Sequence, residues 1–201
     1  MLRKRPAPAR ARGYNAGLCV SAGQSMGIEI ERKFLVVGEA WRADAHAVLA
    51  MAQGYLNDQD AMTSGAQRAS VRIRIEGDQA RLNIKSRQLG HTRQEFEYPV
   101  PLGDARELLA LCVGGMIDKR RHLLRYRGHL WEIDEFLGDN AGLIVAEIEL
   151  SSSDERFERP SWLGREVTDS ARYYNLALAS RPYSQWSEHE RAAADLESSP
   201  C

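Results

Sequence analysis

The 201-residue sequence contains only three cysteines, Cys19, Cys112 and Cys201. An odd, widely spaced set builds neither a disulfide framework nor a CxxC metal site, and a reducing cytoplasm is its simplest home. The five histidines, His46, His91, His122, His129 and His189, show no HxxxH or HExxH spacing, which argues against a zinc-type centre. No apolar run approaches the ~20 residues of a membrane-crossing helix, so no membrane span is expected. Net charge is also nearly lacking, at −1, but its distribution is uneven. Arg3, Lys4, Arg5, Arg10 and Arg12 fall within the first 28 residues, where there is no acid. Taking these five from the 27 basic residues leaves 22 against 28 acidic ones. That balance, without interleaved exposed aromatics, disfavours a nucleic-acid partner.

What is present is the composition of one globular domain, with 43% hydrophobic and 27% charged residues. Residues 1–26 read as a disordered basic extension, or as preceding a true start at Met26. They lack the continuous apolar segment of a secretory signal. The folded domain is expected over 27–183, and the polar, Ala/Ser/Glu-rich 187–201 reads as a flexible tail.

Between these ends, short alternating segments recur. Strands are expected near 27–37, 52–57, 68–76, 79–87, 92–100, 117–127, 129–136 and 143–150. Glu76-Gly77-Asp78 and Arg127-Gly128 read as hairpin turns, and Gly138-Asp139-Asn140 as a looser one. Helical character follows Pro101, with Asp104 as N-cap, and follows Thr168 or Asp169 as cap; residues 40–50 offer a third candidate helix. The fold class expected is mainly β: eight antiparallel strands closed into a barrel, with a few short flanking helices.

The charges recur at i and i+2, which places each pair on one strand face. The pairs are Glu29/Glu31, Arg72/Arg74, Lys85/Arg87, Glu95/Glu97, Lys119/Arg121, Glu132/Asp134 and Glu147/Glu149. The opposite face carries Val71, Ile73, Ile75, Leu82, Ile84, Ile148 and Leu150. Any single pair fits a solvated surface. Seven fit a charged barrel interior, with the apolar face turned outward under helices or a second subunit, as in a homodimer. So much charge needs water and charged guests. Arg and Lys match phosphate oxygens, and carboxylates without His or Cys match a hard cation, Mg²⁺ or Mn²⁺. Both together imply a metal-bound chain of phosphates.

"EIERKF" at 29–34 carries an ExExK pattern. It is followed in order by "QGYL" (53–56), "VRIR" (71–74), "LNIKS" (82–86), "RQEFEY" (93–98), "WEIDEF" (131–136), "LIVAEIEL" (143–150) and "WLGREVTDSARYYN" (162–175). The set resembles the CYTH superfamily, the triphosphate tunnel metalloenzymes, in its short bacterial inorganic triphosphatase branch. The resemblance implies an eight-stranded tunnel in which inorganic triphosphate or a related compound is hydrolysed. It implies metal ligation by Glu29, Glu31, Asp134, Glu147 and Glu149, phosphate binding by Arg72, Arg74, Lys85, Lys119 and Arg121, and a catalytic pair of Lys33 and Tyr55. Glu95 and Glu97 either orient the attacking water or fix neighbouring cations. The helix near 170–180 resembles one that plugs a tunnel end. Two departures are the long loop 57–67 and Asp169-Ser170, where relatives commonly carry Gly, Asp or Glu. Alternative functions are an adenylyl cyclase, a thiamine triphosphatase and, outside enzymes, a polyphosphate-binding module.

Overall fold

A computed structural model of the chain describes residues 28–86 and 92–191. The extension expected at 1–26, most of the tail expected at 187–201, and Cys19, Arg87, His91 and Cys201 lie outside the described residues.

Among the described residues nine strands form one antiparallel sheet: β1 (Ile28–Val36), β2 (Ala47–Tyr55), β3 (Ala69–Glu76), β4 (Gln79–Ser86), β5 (Thr92–Pro99), β6 (Val113–Tyr126), β7 (His129–Phe136), β8 (Ile144–Glu149) and β9 (Leu163–Glu166). Their order is β5-β4-β3-β2-β6-β7-β8-β1-β9. β1 also meets β5, through Ile28↔Gln94, Glu29↔Arg93 and Ile30↔Thr92, while β9 takes the later part of that edge. The expected closed eight-stranded barrel is therefore corrected. The sheet has nine strands and curls on itself, its far strands touching over one short ladder rather than along a full seam.

The two tight hairpins follow from their turn residues. Glu76 pairs with Gln79 around Gly77, at φ +59°. Tyr126 pairs with His129 around Arg127 and Gly128, at φ +48° and +89°. Two consecutive positive φ values are the signature of the turn whose twist matches a right-twisted hairpin.

Short helices are added, among them α1 (Gln59–Ser64), α2 (Leu102–Leu109) and α3 (Asn175–Ser180). α1 lies in the segment expected to be a plain loop, and Asp58 caps it by accepting from the Ala61 amide at 2.7 Å. α2 starts one turn earlier than the Asp104 signal implies, with Pro101 in the N-cap position. The candidate helix at 40–50 reduces to a 3₁₀ turn at Ala40–Asp44, and residues from Ala47 onward are β2. Pairing with β6 along its length, joined by β3 from Met51 onward, outweighs the helix propensity of its Ala, Leu and Met residues.

Alternation divides the side chains between two faces. On the convex face Phe34, Trp131, Trp162, Ile133, Ile148 and Leu150 form one core, with Phe157 and Trp162 packed edge-to-face on Trp131 at 5.4 and 5.3 Å between ring centres. A second convex core joins Ile73 and Ala80 to Ala105 of α2. At one end of the concave face Leu35, Tyr55, Ile117, Phe136 and Val145 pack against Tyr173, Leu178 and Trp186 from the C-terminal segment. That segment is a 3₁₀ turn at Ala171–Tyr173 followed by α3. The candidate cap Thr168 is used elsewhere: its hydroxyl accepts from the Lys33 amide at 3.0 Å.

Leu178 is fully buried in this plug. Leu178→Ala is expected to cost about 2–5 kcal/mol through lost transfer energy and the residual cavity. Urea denaturation reads this directly, and a loss below about 0.5 kcal/mol would mean that the plug contributes little to the core.

Candidate functional site

Beyond the apolar end, the concave face is charged. Across β6, β7, β8 and β1 the cross-strand pairs Arg121↔Asp134, Glu132↔Glu147, Lys33↔Glu147 and Glu31↔Glu149 set the geometry. Arg121 grips Asp134 with both forks of its guanidinium, Nε to Oδ1 and Nη2 to Oδ2, each at 2.7 Å. Lys119 donates to the same Asp134 carboxylate. Arg121 also reaches Glu132 through Nη1 and Glu147 through Nη2, the latter at 3.1 Å. Lys33 donates to Glu147 and lies 3.4 Å from Glu31 Oε1. The result is a continuous alternation of charge running Lys119, Asp134, Arg121, Glu147, Lys33, Glu31.

The other wall is built by β3, β4 and β5. Lys85 Nζ sits 3.0 Å from Glu95, and Arg72 3.9 Å from the same residue. Arg74 is 3.4 Å from Glu97, which also pairs with Arg81. Asn83 bridges the two acids, donating Nδ2 to Glu95 at 2.9 Å and to Glu97 at 2.6 Å. Glu95 and Glu97 thus hold the basic side chains of this wall in place. Between the walls Tyr55 stands opposite Arg72 across the β2–β3 ladder, and its hydroxyl lies in the field of Arg72, Lys85 and Lys33. Lys33 and Tyr55 stand on strands that are not neighbours, so the shared field reflects the curvature of the sheet.

Burial gives these charges their character. Asp134 is 0% exposed and Lys119 2%. Burial alone would raise both acids, but Lys33, Arg121 and Lys119 hold Glu147 well below the usual carboxylate range, and Arg121 and Lys119 hold Asp134 down. Glu132 moves the other way: its burial, together with Glu147 and Asp134, outweighs Arg121 and raises it. Burial and the adjacent Arg121 push Lys119 down to about 8. Burial likewise raises the Tyr55 phenol, which stays protonated at neutral pH.

Of the residues singled out from the sequence, the structure brings Glu31, Lys33, Asp134, Glu147, Lys119 and Arg121 into one ionic network and Arg72, Arg74 and Lys85 into the facing one. Glu149 stands directly opposite Glu31, and Glu29 opposite Arg93 in the short β1–β5 ladder. Among the described residues no three carboxylate, His or Cys side chains converge as a ready-made metal cage. The donor set is all carboxylate oxygen, which suits a hard divalent cation; Glu31 and Glu149 are directly opposed, as are Glu132 and Glu147, whereas both oxygens of Asp134 already accept from cations.

Charge patterning overlooked Gln53 and Asn83, both fully buried on this face. Each lies two residues from a selected position, Tyr55 and Lys85, so the same alternation reaches them once the search includes neutral side chains. It also overlooked Tyr174, whose ring centre lies 5.5 Å from Lys33 Nζ and whose hydroxyl donates to the Thr168 carbonyl at 2.6 Å. No local pattern links 33 to 174; the packing of the C-terminal segment on β1 does. Gly54 lies within β2 at a register shift against β6, where a Cβ would come within 2.8 Å of Cys112 Sγ.

The CYTH domain family model matches residues 27–182. An inorganic triphosphatase of Acetivibrio thermocellus is 43% identical over 165 residues, which are 81% of this chain and 100% of its own. An inorganic triphosphatase of Nitrosomonas europaea is 35% identical over 154 residues, 75% of this chain and 96% of its own. Among solved structures, an inorganic triphosphatase aligns with a TM-score of 0.56 at 32% identity, covering 77% of this chain and 95% of that one. A putative adenylyl cyclase from Hippeastrum with a dominant triphosphatase activity aligns with a TM-score of 0.50 at 15% identity, over 62% of this chain and 80% of that one. At that identity the likeness is one of fold.

Proposed function

Because this chain belongs to the CYTH domain family, we propose that it is a metal-dependent triphosphatase which cleaves the phosphoanhydride bond of inorganic triphosphate on its concave charged face. The observation carrying this reading is the convergence of Lys33, Arg72, Arg74, Lys85, Lys119 and Arg121 on one curved surface with the apolar plug at its end. A linear anion rich in oxygens complements such a surface; a neutral metabolite does not.

Arg72, Arg74 and Lys85 on one wall and Lys119 and Arg121 on the other bind phosphoryl oxygens. Glu95, Glu97 and Asp134 keep these cations aimed before substrate arrives, so little reorganisation remains to be done in the transition state. A divalent cation, Mg²⁺ or Mn²⁺, held by Glu31, Glu147 and Glu149 with Glu29 and Asp134 nearby in the strand order, would offset phosphate charge. Lys33, tied through Glu147 and Glu31, serves as an electrostatic clamp with a remaining N–H for substrate, and the protonated Tyr55 donates from the facing side. The oxygen of water bonds to a terminal phosphorus, the bridging P–O bond breaks, and orthophosphate and pyrophosphate leave. Thr168 and Tyr174 hold the Lys33 backbone and head group from the plug side.

The test is product analysis with the full chain and inorganic triphosphate, ATP and thiamine triphosphate in parallel, with Mg²⁺, Mn²⁺ or a chelator. Orthophosphate release fastest from inorganic triphosphate and abolished by chelator is the expected result. Cyclic AMP and pyrophosphate from ATP would replace this reading by a cyclase, and tight phosphate-compound binding without turnover by a binding module.

A further inference from the structure

The side-chain amide of Gln53 is 0% exposed, and neither its Nε2 nor its Oε1 has a hydrogen-bond partner. Buried amides in native proteins are almost always paired, and an unpaired one calls for a physical reason. Gln53 is not isolated in this respect. It stands directly opposite Arg74 in the β2–β3 ladder, and Arg74 Nε is also buried without a hydrogen bond, 3.9 Å from the Glu76 carboxylate. One step along, Tyr55 stands opposite Arg72 and Arg72 opposite Asn83; the buried Nε of Arg72 and Oδ1 of Asn83 are unpartnered too. These atoms lie on three adjacent strands and on the same face as the charged network. On the other side Gln53 faces Ile117, a member of the plugged apolar core. The amide therefore marks the inner boundary of the charged surface.

Resting on the triphosphatase reading, we propose that Gln53 is a direct substrate contact at the inner end of the site. Its Nε2–H donates to an oxygen of the phosphoryl group lying deepest against the plug, while Oε1 accepts an N–H of Arg74. The pairing satisfies both ends of the amide at once and turns the Arg74 guanidinium toward the same phosphoryl group. A neutral donor suits this position: at the margin of an apolar core a further ammonium or guanidinium would have to be buried beside Arg72 and Arg74, where like charges oppose it. Gln53 sets how far the phosphate chain enters.

Two variants test this. Gln53→Leu keeps the approximate volume and removes both hydrogen-bonding ends; Gln53→Glu keeps the shape and brings a carboxylate against the phosphate. Steady-state kinetics with inorganic triphosphate should show KM raised by about 10-fold or more in Gln53→Leu and further in Gln53→Glu, the loss expected for a hydrogen bond to a charged acceptor. Thermal unfolding without ligand should find Gln53→Leu as stable as the parent or more so, since an unpaired buried amide is being removed. The rise in Tm caused by inorganic triphosphate in the presence of chelator should shrink in both variants. A residue of purely structural value would lower the ligand-free Tm and leave KM and the triphosphate-induced rise unchanged, and that result overturns the assignment. If the parent turns triphosphate over and both variants match it, only the role of Gln53 fails. If the parent neither hydrolyses triphosphate nor gains stability from it, the triphosphatase reading fails and this inference with it.

Discussion

Glu147→Gln is expected to lower triphosphate hydrolysis by about 10²–10³-fold, the scale seen when one preorganised electrostatic group is removed from an active site. Glu147 is the central acid of its network. It accepts from Lys33 and Arg121, and its strand neighbours across the ladders are Glu132 and Lys33. Replacing its carboxylate by an amide removes one of the proposed cation ligands and loosens the hold on Lys33, both without a change of shape. Because the field of Lys33, Arg121 and Lys119 keeps Glu147 ionised, the lost charge is present throughout the neutral range. Glu158→Gln is the matched control, since Glu158 is exposed and pairs only at the surface with Arg127 at 3.3 Å. The kinetic comparison of the two variants decides: a Glu147→Gln rate within about 10-fold of the control would remove Glu147 from the proposed machinery.

Asp134→Asn is expected to act mainly on stability, by about 3–5 kcal/mol, because it strands the buried Lys119 and takes from Arg121 its two-pronged partner, leaving Arg121 with Glu132 and Glu147. Lys119 and Arg121 both depend on that carboxylate, and Lys119 is pressed downward by burial even with Asp134 present. For a domain of this size the loss corresponds to a Tm lower by about 10 °C. The double variant Asp134→Leu with Lys119→Met should recover much of the difference, since a buried pair removed together costs far less than one partner removed alone. Urea melts of parent, single and double variants carry the test. A single variant within about 1 kcal/mol of the parent would mean that solvent reaches this pair despite its burial.

Much of this architecture is legible in a period-two pattern. β1, β3, β4 and β8 lie within one or two residues of their expected bounds because their apolar and polar residues alternate cleanly. β2 hides half its length, since Ala47–Met51 is rich in the helix-forming residues Ala, Leu and Met, which pairing with β6 holds extended. β6 starts at Val113, earlier than expected, because Gly114 and Gly115 read as a break. In the fold both glycines make room for α3: a Cβ on either would lie 3.1 Å from the Ala179 carbonyl oxygen. β9 is four residues long and carries no alternation signal. It exists because β1 leaves an edge to pair with.

The sequence by itself determined that charged side chains would share one strand face, that carboxylates and cations would alternate on that face, and that the chain would be mainly antiparallel β. Those properties are local: alternation assigns a side chain to a face wherever the strand is placed. Only the tertiary structure decided the partner of each charge. It pairs Asp134 with two cations, sets Glu95 and Glu97 to holding Arg and Lys, brings Thr168 and Tyr174 onto Lys33, and leaves Gln53 buried beside Arg74 with its amide unmet. Such pairings depend on strand order, register and curvature, which are fixed by contacts between residues far apart in the chain, and no local pattern encodes them.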